Sequence, residues 1–306
     1  MIEHSNMISL QNIEKKNIQQ YNSQKKDNNN AKNIDILNKA YNRAIGGGLA
    51  GSSAMIIQIT SLMWLRTTMN YQYKNGGKFS QSVKTLFKDG GIPRFYRGYS
   101  AAIAIGPLSR FGDTAANAYV TSIFEKTTIP ITIQTFCGSS VAALWRSFLM
   151  PIDAIKTSLQ VNGKSGLNIL KTKMINHNPT ILYHGTLASM SATFVGHYPW
   201  FLSYNMLNQK LPKYEETHKK LLRNAFIGFN SAVISDCCSN SLRVVKTVKQ
   251  TSKTKKTYSE IIQNIIKKNG IVDLFGRGLK TRIITNGIQG ILFTVCWKYI
   301  EETYNN

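Results

Sequence analysis

Acidic residues are what this sequence has least of. Its 306 residues hold 15 Asp and Glu against 38 Lys and Arg, a formal net charge of +23, yet charged residues of all kinds make up only 17%. Soluble domains average ~25%. A nucleic-acid binder usually reaches such a net charge by being rich in charge, whereas this chain mainly lacks acids. Cysteine is scarce too: there are four, with no Cys-x-x-Cys, which excludes a disulfide scaffold and argues against a zinc ribbon. Seven prolines and 22 glycines without a period exclude collagen. Hydrophobic residues at 42% exclude a wholly disordered protein. Length alone gives a soft prior of about two domains.

Residues 1–39 contain little to bury. The run from Gln19 to Asn30 is polar and low in complexity, and the segment reads as a flexible polar tail. No Arg precedes Arg43 and no apolar h-region is present, so neither a transit peptide nor a secretory signal is expected. From residue 40 the texture changes. Residues 44–65, 127–145 and 174–209 are free of Asp, Glu, Lys and Arg. Three further apolar windows are weaker: 98–124 is interrupted by Arg110 and Asp113, 224–248 by Asp236, Arg243 and Lys246, and 283–297 is short. A helix crossing hydrocarbon needs ~20 mostly apolar residues. Polar residues inside these windows point to helices that line a wet cavity. Six buried helices of a soluble α protein are the alternative.

A repeat decides between them. Ser61-Leu62-Met63-Trp64-Leu65-Arg66-Thr67 returns 90 residues later as Pro151-Ile152-Asp153-Ala154-Ile155-Lys156-Thr157, and again as Ser241-Leu242-Arg243-Val244-Val245-Lys246-Thr247. An amide follows three residues after each base-Thr pair, at Asn70, Gln160 and Gln250. Each block leads to a basic segment and a glycine turn: Gly91 to Gly98, Tyr183-His184-Gly185, and Gly270 to Gly278. The connecting segments read as short amphipathic surface helices. In the first, Ser80 is placed to cap, with Val83, Leu86 and Phe87 on one face; in the third, Ile261, Ile262, Ile265 and Ile266 share a face. The predicted unit is helix, short surface helix, helix. It occurs three times, over 40–126, 127–215 and 216–303.

These motifs resemble the mitochondrial carrier family (solute carrier family 25-like) over roughly residues 40–303, as a divergent member. Pro151-Ile152-Asp153-Ala154-Ile155-Lys156 matches the family's Pro-x-acid-x-x-base signature, with Gln160 at its bracing position, and Gly91 to Gly98 matches its glycine-aromatic-base-Gly element. The resemblance implies an all-α membrane protein: six transmembrane helices in three pseudo-symmetric repeats, with short surface helices, around a central cavity. It also implies a multi-pass location in the mitochondrial inner membrane. The expected function is transport of a small polar metabolite by alternating access, as antiporter or uniporter. Carrier-like proteins also occur in peroxisomal and plastid membranes, which stay open as locations. The partners implied are the metabolite and membrane phospholipid, cardiolipin in particular, with the chain monomeric and binding no nucleic acid.

The departures from the family pattern are informative. Ser61 and Ser241 replace proline; Met63 and Arg243 stand where acids are expected. The matrix gate, as the resemblance defines it, then comprises one acid, Asp153, against Lys156, Arg66, Arg243 and Lys246, with Gln160 and Gln250 as braces. Like-charge repulsion is expected to weaken that closed state. Restoring acids at Met63 and Arg243 is expected to tighten it. The cytosolic gate falls on Tyr204, Asn205 and Asn208 and on Trp297, Lys298 and Glu301, while the first repeat offers only Asn117 to Thr121.

Equivalent positions in the three repeats lie at one depth. Ile56, Arg146 and Asp236 form one such set. Charges there are expected to pair with each other across the cavity, or to hold opposite groups of one substrate. The family's contact points on the even helices fall on Ile105 and Gly106, Ala192 and Thr193, and Thr285 and Asn286, with Arg282 one turn away. Arg110, Asp113, His197 and Gln289 are placed nearer the cytosolic mouth. The candidate substrate set is Arg146, Asp236, Arg282, Thr285, Asn286 and Thr193, and a small zwitterion such as an amino acid fits it. The glycine turns at Tyr96, Arg97 and Gly98, at Gly185, and at Arg277 and Gly278 resemble the family's cardiolipin sites, where a helix N-terminus meets a phosphate, and are the lipid sites the resemblance implies.

Other motifs carry less. Gly46 to Gly51 satisfies G-x-G-x-x-G, but no strand precedes it and Tyr71 stands where an acid is needed, so close helix packing is the better reading. The five histidines show no metal spacing, and no catalytic constellation or cofactor motif is present. No enzyme is expected. Two rivals remain: a transport-inactive scaffold of carrier fold, and a basic RNA-binding protein built on segments such as Lys249 to Lys256.

Overall fold

A computed structural model describes residues 55–124 and 129–305, and every described element is helical. The polar tail and the Gly46 to Gly51 run lie outside these residues. The elements are α1 (55–75), then α2 (Phe79–Phe95), α3 (Tyr99–Phe124), α4 (Ile131–Phe148), α5 (Met150–Asn162) and α6 (Ser165–His177). A 3-10 turn at Pro179–Tyr183 leads to α7 (Thr186–Lys210), α8 (Thr217–Thr251), α9 (Tyr258–Asn269), α10 (Ile271–Gly276) and α11 (Leu279–Asn305).

The long helices form a closed ring. In chain order α3, α4, α7, α8 and α11 each pack on the next, and α1 packs on α3 through the buried Ile59, Met63 and Ala102. The ring closes between first and last helices: Thr281 Oγ1 lies 2.5 Å from Gln72 Oε1, and Gln58 Nε2 donates to the Gln289 carbonyl at 2.8 Å. The short helices lie against the ends of this ring. In α9, Thr257 and Glu260 form a capping box. Ile261 and Ile265 of the same helix pack on Val244 and Val245 of α8 and Tyr73 of α1.

Two details of these surface helices differ from the sequence reading. Lys78 is the N-cap of α2, its N–H donating to Gln81 Oε1 at 3.3 Å, so Ser80 lies inside the helix rather than at its cap. The buried stripe of α2 runs through Ser82 and Leu86, an i,i+4 pair, which turns Phe87 out to 57% exposure. The helix breaks at Gly90 and Gly91, as the glycine turn requires.

Three glycines with positive φ then seat each turn on the helix of the next repeat. A Cβ on Gly98 would lie 3.0 Å from the Lys156 carbonyl on α5. One on Gly185 would lie 3.4 Å from the Lys246 carbonyl on α8, and one on Gly278 3.3 Å from the Met69 carbonyl on α1. Residues with no Cβ permit both the left-handed backbone and the approach.

The expectation of six transmembrane helices meets one specific finding. Among the described residues, no helix is long and apolar enough to cross a membrane. The reason is composition rather than reach. At ~1.5 Å per residue the 35 residues of α8 run to about 52 Å, but the helix carries Ser231, Asp236, Ser239, Asn240, Arg243 and Lys246.

Candidate functional site

The ring encloses a cavity of about 300 Å³. Five of the six contact positions implied by the family resemblance line it: Ile105, Gly106, Ala192, Thr285 and Asn286. Thr193 does not; it is 4% exposed and its hydroxyl is spent on the Ser189 carbonyl of its own helix at 3.0 Å. Thr285 likewise donates to Thr281 O at 2.7 Å, leaving only acceptor capacity toward the cavity.

The charged lining is almost wholly basic: Arg66, Arg146, Lys156, Arg243, Lys246 and Arg282, with Asp153 as the acid. Arg146 and Asp236 do not pair with each other. Arg146 donates instead to both oxygens of Asp113 on α3, at 3.4 and 2.7 Å. Asp236 sits behind the cavity wall, 4% exposed, bonded to Arg282 at 2.5 Å and to the Asn286 amide. Ile56, the third residue of that set, is 40% exposed and lies off the cavity. Equivalence in the repeat gives depth along the bundle, not which helix faces which. The sequence holds part of the signal for the Arg146–Asp113 pair: both charges fall in or beside apolar windows and need a partner, although Arg110 lies only three residues from Asp113.

At the signature level Asp153 serves two lysines. Lys156, one turn on, is 2.5 Å from Oδ1, and Lys246, from α8, is 2.7 Å from Oδ2. The Gln250 amide adds a bond to Oδ2 at 3.3 Å. Gln160 accepts from Asn70 at 2.6 Å and approaches the Met63 sulfur at 3.5 Å, so the amides at 90-residue spacing join α1 to α5. The two remaining bases find no carboxylate within ion-pair distance among the described residues. Arg243 reaches only Ser239 Oγ at 3.3 Å. Arg66 donates to the Gln289 side-chain oxygen at 2.8 and 2.7 Å once that amide turns its oxygen inward. Gln289, placed near the mouth by sequence, is therefore a partner of the signature.

At the opposite end Tyr204 stacks on Trp200, ring centroids 5.0 Å apart. Asn208 is held by Arg223 of α8, which sequence reasoning missed, at 2.8 Å through its side chain and 2.6 Å through its carbonyl. Asn205 is half-buried, and Trp297, Lys298 and Glu301 lie outside the described side chains. Of the residues assigned to lipid, Tyr96 donates to Thr60 O at 3.2 Å and Arg97 is half-buried. Arg277, 7% exposed, is turned inward onto Asp273 at 2.5 Å, so the structure uses it internally.

Comparison with known proteins agrees with this architecture. The sequence profile described as "Mitochondrial carrier protein" matches residues 127–215 and 217–306. The chain is 23% identical over 265 residues to the calcium-dependent mitochondrial ATP-magnesium/phosphate carrier protein 2 of Arabidopsis thaliana; the match covers 80% of this chain and 53% of that protein, about half its length. It is 23% identical over 291 residues to mitochondrial citrate transporter D of Aspergillus niger, covering 86% and 93%. Similarity to the mitochondrial thiamine pyrophosphate carrier 1 of Candida albicans is 24% over 183 residues, covering 55% and 60%.

Proposed function

Because the chain belongs to the mitochondrial carrier family, whose members are transporters of the mitochondrial inner membrane and not enzymes, we propose that it moves a small anionic metabolite across that membrane by alternating access. The observation that carries the reading is the pair Arg66 and Arg243. Both line the cavity, and neither is matched by a carboxylate among the described residues. Guanidinium groups in that position favour a carboxylate or phosphate, which they can hold through two parallel hydrogen bonds.

A zwitterion fits less well than the sequence implied, because Asp236 is already engaged by Arg282 and Asn286 and is absent from the lining. The relatives' names include phosphate, citrate and thiamine pyrophosphate, all of which bear negative charge. Membrane crossing is then a property of the ring: polar side chains face the cavity and each other, and apolar ones such as Phe136, Leu144 and Phe148 remain exposed on the outside. The alternating states close in turn at the Asp153 cluster and at the Tyr204–Asn208 end.

Uptake into liposomes, measured with a panel of carboxylates, phosphate esters and amino acids, tests the reading. Anions are expected to be transported, and Arg66→Ala or Arg243→Ala to lower uptake tenfold or more, as loss of a charge-assisted bond worth ~1.5–3 kcal/mol implies. Uptake of amino acids alone, or of anions at parental rates in both variants, would overturn it. Unbroken passage of α1 and α8 through Ser61 and Ser241 favours a second reading, a carrier-fold scaffold. That reading gains if no solute is moved.

A further inference from the structure

A second cavity, of about 230 Å³, lies where the C-terminal ends of α1 and α8 meet α9. Its charged lining is basic throughout: Lys74 from α1, Lys256 from the loop after α8, Lys268 from α9, and Arg277. Arg277 is occupied by Asp273, with Nη1 on the Lys74 carbonyl at 3.3 Å. The three lysines have no carboxylate within ion-pair distance among the described residues. Lys74 Nζ reaches only Ser252 Oγ, at 3.4 Å.

Behind Lys74, on α6, Lys173 is 4% exposed and has no hydrogen-bond or ion-pair partner among the described residues. Its charge, with those of Lys256 and Lys253, acts on Lys74. Burial, and after it the charge of Lys249, pushes the Lys173 ammonium down to about 8. Lysines are held together here at a cost in desolvation and repulsion. The C-terminal ends of α1 and α8 offset part of it, at about −0.5 charge each. That falls well short of the lysine charge gathered there.

We propose that this pocket binds a phosphate-type oxyanion, at a site separate from the central cavity. Lysines act as point charges on phosphate from several directions, and the Asn264 amide lines the same space. The volume is below the ~300–1,000 Å³ of pockets for drug-sized ligands, so the occupant is one or two phosphoryl groups rather than a whole nucleotide. Those groups belong either to a free anion or to a phospholipid headgroup.

The test follows thermal unfolding of the full chain in neutral detergent as inorganic pyrophosphate is added. The parent protein, Lys74→Gln/Lys256→Gln, Lys268→Gln and Arg66→Gln/Arg243→Gln are compared. Pyrophosphate is expected to raise the parent Tm in a saturable way, with Kd at least tenfold weaker in the Lys74/Lys256 variant and several-fold weaker in Lys268→Gln, while the Arg66/Arg243 variant, which has lost anion binding in the central cavity, keeps a saturable shift. Without ligand, the Lys74/Lys256 variant is expected to melt above the parent, since repulsion has been removed. A purely structural role for these lysines predicts the reverse.

A parallel titration with phosphatidate in mixed micelles distinguishes the sources. A shift that needs Lys74 and Lys256 but appears only with phosphatidate supports the site with lipid as its ligand. The proposal is overturned if neither probe gives a shift dependent on these lysines, or if the pyrophosphate shift disappears only in the Arg66/Arg243 variant. That last result would leave the central cavity as the sole anion site and the transport reading intact.

Discussion

The second and third repeats start from the same seven-residue pattern and build different helices. At Pro151 the chain cannot supply an amide proton, and the ring crowds the preceding turn. The helix ends at Phe148, Leu149 caps it by donating to the Arg146 and Ser147 carbonyls, and α5 begins at Met150. At Ser241 the proton is present, and α8 continues unbroken from Thr217 to Thr251. Charge follows the same division. Asp153 joins α5 to α8 through Lys246, while Arg243 in the equivalent place bonds only within its own helix. The first repeat goes further: Met63 is fully buried, and α1 is tied to α5 by the neutral pair Asn70–Gln160. A threefold sequence has thus produced one ionic seam and one amide seam.

The largest effect is expected where one carboxylate serves two cations. Asp153→Asn keeps the shape but leaves Lys156 and Lys246 facing each other, both only 21% exposed. Removing one partner of a buried pair costs about 3–5 kcal/mol, and the residual exposure argues for the lower end. Thermal unfolding in detergent is expected to fall by roughly 6–12 °C at ~2–4 °C per kcal/mol. Arg243→Gln, which loses no carboxylate, is expected to move it little. Equal losses in the two variants would break the comparison at its electrostatic root.

Exchanging the backbone signals comes next. Ser241→Pro removes a bond from the interior of α8 and places a ring against the preceding turn, at about 3 kcal/mol. Pro151→Ser, at a site where the helix already ends, is expected to cost less than ~1 kcal/mol. Denaturant midpoints for the two variants give the ratio. A mild Ser241→Pro would mean that α8 accommodates a break there as readily as the second repeat does.

Much of this architecture is legible in the sequence. The 90-residue period, the surface helices and the glycine turns follow from spacing; that Ile105, Gly106, Ala192, Thr285 and Asn286, which line the cavity, are contact positions comes from the family resemblance and not from spacing. What spacing does not contain is rotation about the bundle axis. Shared depth sets Arg146 beside Asp236, either as a pair or as holders of opposite groups of one substrate, yet the neighbour of Arg146 is Asp113 on the adjacent α3, whose register is obscured by Pro107. The same limit affects the gate. An acid restored at Met63 was expected to tighten it, but that side chain is fully enclosed, with the Gln160 amide on its sulfur. A carboxylate there would be desolvated. Arg243, half-buried in the cavity wall, is the better position for such a change.

The smallest effect separates the seams themselves. Gly98, Gly185 and Gly278 share positive φ, at +83°, +97° and +64°, so alanine at each carries the ~1–2 kcal/mol cost of a left-handed L-residue. Their surroundings differ. On Gly98 the new methyl meets the Lys156 carbonyl at 3.0 Å, beside the intact signature, and on Gly278 it meets the Tyr73 ring at 2.8 Å. On Gly185 the nearest atoms are Gln250 Cγ at 3.3 Å and, at 3.4 Å, Lys246 Cγ and the Lys246 carbonyl, each looser than the closest contact at the other two glycines. Melting temperatures are therefore expected to fall least for Gly185→Ala, with the other two lower by a further degree or more. Equal losses in all three would mean that backbone strain alone sets the cost. The seams would then be mechanically alike although only one of them carries an ion pair.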